Sequence, residues 1–210
     1  MAKVLIGDDH SIVRQGLRQI LADGKGHYVC GEAENGQMVL DMVNKEPWDV
    51  IILDISMPGL SGLDILKEIK KIKPRLPVLV LTMHSEDQFA LRSIKAGASG
   101  YLTKDSAPEE LIKAINKVME GGKYVNQQLA EILAADIERN VEGPLHGTLS
   151  DREYQVMRLI ASGRTAKQIA DELALSVKTI STYRARLLEK MKMKTNAELT
   201  YYAIQNKLVE

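Results

Sequence analysis

The chain reads as an α/β protein, a doubly wound five-stranded parallel-sheet domain followed by a small all-α domain of four helices. Three observations predict this. Over residues 1–120, short apolar runs alternate with segments whose apolar residues recur every three or four positions. After Gly121-Gly122 the strand pattern stops and does not return. From Ser150 onward, helix-start signals follow one another closely. A length of 210 residues suits one large domain or two small ones with a core each. The pattern favours two: 1–120, a connector over 121–144, and 145–210.

Val4–Ile6, Tyr28–Cys30, Val50–Leu53, Val78–Leu81 and the shorter Gly100–Leu102 read as strands. The near-continuous Val/Ile/Leu character of the first, third and fourth implies burial on both faces, as in a parallel sheet. The intervening amphipathic segments, from Ile12–Leu21, Met38–Val43, Leu63–Ile72, Phe89–Ala96 and Leu111–Met119, read as helices. Asn126–Val141 suits one connecting helix capped by Asn126, and Gly143-Pro144-Leu145-His146-Gly147 reads as a flexible break. Ser150-x-x-Glu153, Thr165-x-x-Gln168 and Thr195-x-x-Glu198 are capping-box patterns, with Ser176 a fourth candidate cap. Cys30, mid-strand, reads as a small core residue. As the single cysteine it forms no internal disulfide.

The charge balance, 28 Lys+Arg against 28 Asp+Glu, excludes a disordered acidic chain or a wholly basic coat protein. Its distribution is uneven. Residues 145–210 hold 11 bases against 7 acids, and Ser176–Lys194 holds Lys178, Arg184, Arg186, Lys190, Lys192 and Lys194 against Glu189 alone. That asymmetry points to a partner for this segment, although a solvated basic face on a helical bundle would read the same way. No signal peptide and no run of about 20 apolar residues is visible, so the expectation is a cytoplasmic protein with no membrane contact.

In an open parallel sheet, ligands bind at the carboxyl ends of the strands where strand order reverses. Those ends carry Asp8-Asp9 after the first strand, Asp54 after the third, Thr82 after the fourth and Lys104 just past the fifth. Any one of these acids alone suits a turn or a cap. Together they make a charged cluster. Three carboxylates so close repel unless a cation sits among them, and Mg²⁺ meets that need while leaving a position for a phosphoryl oxygen. Lys104 adds a second positive charge and Thr82 a hydroxyl, which suits phosphoryl chemistry on Asp54.

Asp8-Asp9, Asp54, Thr82 and Lys104, with Tyr101 and the turn Met57-Pro58-Gly59, resemble the receiver domain of response regulators over about residues 3–119. The resemblance implies that Asp54 takes a phosphoryl group from a phosphohistidine on a sensor histidine kinase. It implies that Asp9, Asp54 and the Ser56 carbonyl hold Mg²⁺, with Asp8 helping directly or through water. Thr82 and Tyr101 match the family's switch pair, in which the hydroxyl moves toward the phosphoryl group and the ring repacks inward. Lys104 matches the cation that contacts the phosphoryl oxygens. Ser56 and His84 match positions that tune dephosphorylation, and neither is a strong base for a water.

In the last third, Thr165–Leu173, the turn Ala174-Leu175 and the longer basic helix Ser176–Met191 suit a helix-turn-helix, whose second helix enters the major groove. Val177, Ile180, Leu187, Leu188 and Met191 make its inward stripe. Leu149-Ser150-x-Arg152-Glu153, Ile160-Ala161-x-Gly163, Lys167-x-Ile169-Ala170, Leu175-Ser176-x-Lys178-Thr179-Ile180 and Tyr202-Ala203-Ile204 resemble the LuxR-type helix-turn-helix of NarL/FixJ-class regulators. The resemblance, joined to the charge of Arg184 and Arg186 that can reach phosphate or guanine, implies a DNA-binding set of Thr165, Lys167, Lys178, Thr179, Ser181, Thr182, Arg184, Ala185 and Arg186. In it Lys178 and Thr179 grip phosphates, while Ser181, Thr182 and Ala185 face base edges. Tyr183 and Ala166 stand where the family commonly has His and Asn.

The whole then reads as a two-component transcriptional regulator, not an enzyme. Its implied partners are a sensor histidine kinase and double-stranded promoter DNA, with a homodimer forming on phosphorylation. Two rivals stay open: a phosphatase with Asp54 as nucleophile, and a DNA-binding protein without phospho-control. The first needs a second acid two residues after the nucleophile, where Ser56 stands.

Overall fold

The computed structural model describes residues 1–24, 26, 28–57, 60–83, 86–138 and 144–209. They fall into two compact units, Met1–Ile137 and Glu138–Glu210. Expectations for His84, Pro58, Gly59 and Gly143 lie outside the described residues.

The first unit alternates strand and helix: β1 (Ala2–Gly7), α1 (Ser11–Asp23), β2 (Tyr28–Ala33), α2 (Gly36–Lys45), β3 (Val50–Asp54), α3 (Gly62–Ile72), β4 (Val78–Thr82), α4 (Glu86–Lys95), β5 (Gly100–Thr103) and α5 (Ala107–Met119). All four strand pairs are parallel, in the order β2-β1-β3-β4-β5. Every residue of β3 and β4 is buried, as their unbroken apolar runs require, whereas β2 at the edge is largely half-exposed. On one sheet face Val4, Ile6, Val50, Ile52, Leu79, Leu81 and Leu102 pack against Leu17 and Leu21 of α1 and Leu111, Ile115 and Val118 of α5. The alternate residues Leu5, Ile51, Leu53 and Val80 point the other way and are equally buried, so helices cover both faces.

After α5 the chain returns to the free edge of β5. Tyr124 donates its amide to the Ser99 carbonyl at 2.8 Å and pairs with Gly100, and Lys123 Nζ donates to the Ala98 carbonyl at 2.6 Å. A Cβ on Gly100 would sit 2.9 Å from the Tyr124 carbonyl oxygen, so glycine is what admits this close strap. The next helix, α6 (Gln127–Glu138), is capped by Asn126, whose side chain accepts from the Leu129 amide at 2.8 Å.

The second unit holds α7 (Asp151–Ala161), α8 (Ala166–Glu172), α9 (Val177–Lys190) and α10 (Asn196–Gln205). Ser150 and Thr165 form reciprocal capping boxes with Glu153 and Gln168. The third box is one-sided: Thr195 accepts from the Glu198 amide, but the Glu198 carboxylate takes the amide of Lys194 instead. The break expected over Gly143–Gly147 is corrected in its second half, because Leu145–Thr148 forms a 3-10 turn. Its His146 is buried, with Nδ1 2.9 Å from the Tyr202 hydroxyl. Val177 is also corrected. It is 46% exposed at the first turn of α9, while Ile180, Leu187, Leu188 and Met191 do face inward.

Candidate functional site

The strand order reverses between β1 and β3, and the acids lie at that point. Asp8 follows β1, its amide bonded to the Ala33 carbonyl at 3.1 Å, and Asp54 ends β3. Both side chains are almost fully buried, whereas Asp9 retains 27% exposure. Lys104 reaches across from beyond β5, its Nζ 2.7 Å from Asp54 Oδ2 and 2.7 Å from Asp8 Oδ2. The Lys104 amide donates to the Thr82 carbonyl at 2.8 Å, which ties the loop after β5 to the end of β4.

The electrostatics follow from burial. Desolvation pushes the Asp54 carboxyl above the usual aspartate range, although Lys104 and the Ser56 amide, 2.8 Å from Oδ1, pull the other way. Burial also opposes the charge on Lys104, but the Asp54 and Asp8 carboxylates outweigh it and raise the ammonium above its ordinary value. Thr82 and Tyr101 are wholly buried, and the Thr82 hydroxyl lies 3.5 Å from that of Ser56.

One cation does not satisfy this cluster. Asp9 Oδ1 is buried with no hydrogen bond, and Asp8 Oδ2, also buried, is met by the Lys104 ammonium at 2.7 Å. Ligand atoms of Asp8, Asp9, His10 and Asp54 all lie within 4.8 Å of one another, a spacing that suits a metal ion.

Two participants escaped sequence reasoning. His10 stands beside the acids, Nδ1 3.0 Å from Asp9 Oδ1 and 3.3 Å from Asp8 Oδ1, with its amide 2.8 Å from Asp8 Oδ1. The position directly after two acids was its only signal. Arg14 on α1 is buried beneath the site, donating to the Asp8 carbonyl at 2.8 Å and to Glu32 and Glu34 at 3.0 and 3.1 Å. It holds the Glu32 carboxyl below the usual glutamate range. Nothing in the local pattern marked it, since its partners are separated in sequence by a whole strand. Cys30 is half-buried beside a surface cavity of about 370 Å³ lined also by Arg18 and Tyr28, so it sits at the core's margin rather than within it.

In the second unit, α8 and α9 are joined by Ala174-Leu175, with Ala174 in the left-handed region at φ 51°. Ser176 caps α9 through the Thr179 amide at 3.0 Å. Lys178, Ser181, Thr182 and Ala185 are exposed and fall within about 100° of arc at 3.6 residues per turn, opposite Ile180, Leu187 and Met191. Thr165, Lys167 and Arg186 are exposed as well, and Thr179 is half-buried. Arg184 is engaged sideways, its Nε donating to Asn196 Oδ1 at 2.7 Å at the start of α10.

The response regulator receiver domain model matches residues 4–116. The chain belongs to the response-regulator family. A second model, bacterial regulatory proteins of the luxR family, matches residues 147–203 of this response regulator. It is 36% identical over 211 residues to the response regulator GacA of Pseudomonas aeruginosa, covering 100% of this chain and 99% of the relative. It is 38% identical over 210 residues to the response regulator UvrY of Escherichia coli K12, covering 99% and 96%. Among solved structures it resembles the response regulator RcsB of Salmonella typhimurium with a TM-score of 0.62 and 29% identity, covering 96% of this chain and 98% of that one. RcsB from the same organism bound to promoter P1flhDC in the presence of the phosphomimetic BeF3− matches with a TM-score of 0.60, 29% identity and coverages of 96% and 97%. The response regulator thus joins a receiver to a luxR-family regulatory domain. Among its described residues, no helix is long and apolar enough to cross a membrane.

Proposed function

We propose that Asp54 accepts a phosphoryl group from a sensor histidine kinase, and that this controls binding of promoter DNA by the C-terminal unit. The observation that carries the reading is the buried Asp8–Lys104–Asp54 bridge at the switch point of the sheet, in a chain that also matches the luxR family. The Asp54 carboxylate oxygen forms the new P–O bond as the P–N bond of the donor phosphohistidine breaks. Lys104 then exchanges its contact with a bare carboxylate for one with phosphoryl oxygens, and the Thr82 hydroxyl donates to the same group. That differential contact is what biases two receiver states, with Tyr101 the ring that responds.

The clustered carboxylates of Asp8, Asp9 and Asp54, with Asp9 Oδ1 buried and without a hydrogen bond, fit a divalent cation, and the oxygen-rich donor set suits Mg²⁺. Asp9, Asp54 and the Ser56 carbonyl would hold it, with Asp8 assisting. When bound, the ion neutralises carboxylates and polarises a phosphoryl oxygen.

On the DNA side, Thr165, Lys167, Lys178, Thr179 and Arg186 contact phosphates, with Arg186 also within reach of guanine. Ser181, Thr182 and Ala185 face base edges. Arg184 braces α9 against α10 through Asn196, and its guanidinium remains beside the groove-entering face. A homodimer formed on phosphorylation engages two half-sites about one helical turn apart. Residues 121–144 form the connector between 1–120 and 145–210, and the working compartment is the cytoplasm. The protein is a regulator rather than a phosphatase, since Ser56 stands where a phosphatase needs its second acid.

The test treats wild type and Asp54→Ala with a small phosphodonor and Mg²⁺, then follows label and DNA retention together. Expected are a stoichiometric label sensitive to alkali and hydroxylamine, its loss in Asp54→Ala, and tighter DNA binding by the labelled wild type. Turnover of many donors per protein, or label that ignores Asp54, defeats the reading. In the same assay, replacing Lys178 by Ala weakens all sequences alike and lowers the salt slope by about one, whereas Ser181 and Thr182 substitutions change sequence preference.

A further inference from the structure

We propose that His10 is an additional, nitrogen-donating ligand of the receiver's divalent-cation site and sets which ions it accepts. The inference rests on the cation reading given above. Three observations bring the imidazole to the site. Nδ1 lies 3.0 Å from Asp9 Oδ1 and 3.3 Å from Asp8 Oδ1, the separations of donor atoms that share one ion. The His10 amide is bonded to Asp8 Oδ1 at 2.8 Å, so the backbone at residue 10 is fixed to the acid it follows. Asp9 Oδ1, the oxygen nearer to the imidazole, is buried and carries no hydrogen bond, which leaves it open to an ion.

The side chain of His10 is 64% exposed, so it can turn toward the ion without breaking packing. Asp8 and Asp54 cannot, being buried and fixed by Lys104. The mobile donor therefore sits on the solvent side of a rigid oxygen cage, where it replaces a water of an octahedral ion. Hard Mg²⁺ keeps its waters and binds nitrogen poorly. Ions that take imidazole readily, Ni²⁺ among them, gain from the exchange. The site accordingly holds Mg²⁺ through its oxygens alone and holds a borderline divalent ion through oxygens and His10 together.

The experiment compares the full chain with its His10→Ala and His10→Gln variants, with Asp9→Asn as the control for binding elsewhere. Mg²⁺ and Ni²⁺ affinities are measured by calorimetry, and Mn²⁺ is used as a paramagnetic probe in pulsed electron paramagnetic resonance. Expected are a loss of Ni²⁺ affinity of about tenfold in both His10 variants, a change in Mg²⁺ affinity below about twofold, and imidazole ¹⁴N modulation of the Mn²⁺ signal that vanishes in both. An unchanged Ni²⁺ to Mg²⁺ ratio, or no ¹⁴N modulation in the wild type, overturns the role of His10 while leaving the cation site standing. Equal losses for both ions also overturn it, because His10 would then only order the acidic loop. If the wild type binds no divalent ion that Asp9→Asn abolishes, the cation reading itself fails and the inference with it.

Discussion

Lys104 is one ammonium shared by two buried carboxylates, and their proximity is what holds its charge in place against burial. Removing the cation would leave two buried acids at close range, the costliest kind of defect in an ion-pair network. Glu153 shows the same economy in the second unit. It closes the cap of α7 through the Ser150 amide at 2.8 Å and takes a bond from Lys190 Nζ at 2.7 Å. Burial works against its charge, yet the bonds from Lys190 and Ser150 win, and its carboxyl lies below the usual glutamate range. A depressed carboxyl contributes stability that is complete above its unfolded-state value, about 4.3, and is lost as pH falls through the folded value. The stability gap between wild type and Glu153→Gln is therefore expected to be widest near neutral pH and to close below about pH 4. Denaturant titrations read from α7 and α9 amide signals check this, and a gap independent of pH would refute it.

At the scale of elements, glycine and cap positions decide where the chain turns. Gly62 opens α3, and a Cβ there would collide with the backbone of Ile55 and lie 2.8 Å from the Asp54 carbonyl oxygen. The loop that aims Asp54 is thus packed against the start of the next helix with no room for a methyl group. Gly62→Ala should cost about 1–3 kcal/mol by overpacking and slow phosphoryl uptake as well. Urea unfolding of the first unit and the label assay measure the two effects, and a variant with wild-type stability and labelling would show that the loop yields freely. The capping residues were legible in sequence because a cap acts over three positions, and Ser150, Thr165, Ser176 and Asn126 all bond as their spacing suggests. Val177 was not, because helical periodicity continues to the first turn whether or not another element covers it. The expected break near Pro144 failed in part for a similar reason. The composition of residues 145–147 is that of a loop, and tertiary contacts of His146 with Tyr154 of α7 and Tyr202 of α10 accompany their folding into a turn.

Over the whole molecule, two units with separate cores divide the work, and their stabilities should respond to different ligands. Mg²⁺ binds only the folded receiver in this reading, so it stabilises that unit by mass action, about 2.7 kcal/mol at a hundredfold excess over its dissociation constant. Calorimetry should show the transition of residues 1–137 moving up with Mg²⁺ and that of 138–210 staying in place, with the shift abolished by Asp9→Asn. Equal movement of both transitions would count against the assignment of the ion to the acidic cluster.

Sequence alone determined the β-α alternation, the helical last third, the cap positions, and the set Asp8, Asp9, Asp54, Thr82 and Lys104. Those signals are local: a run of apolar residues, a three-residue box, a polar residue at the end of a strand. Tertiary structure alone decided that Lys104 spans Asp8 and Asp54, that Arg14 braces the acidic loop from beneath, that His10 joins the cluster, and that Arg184 is drawn to Asn196. Each of those facts joins side chains through a backbone path that only the folded chain closes. The partners of Lys104 and Arg14 come from different strands, and no spacing along one element encodes that meeting.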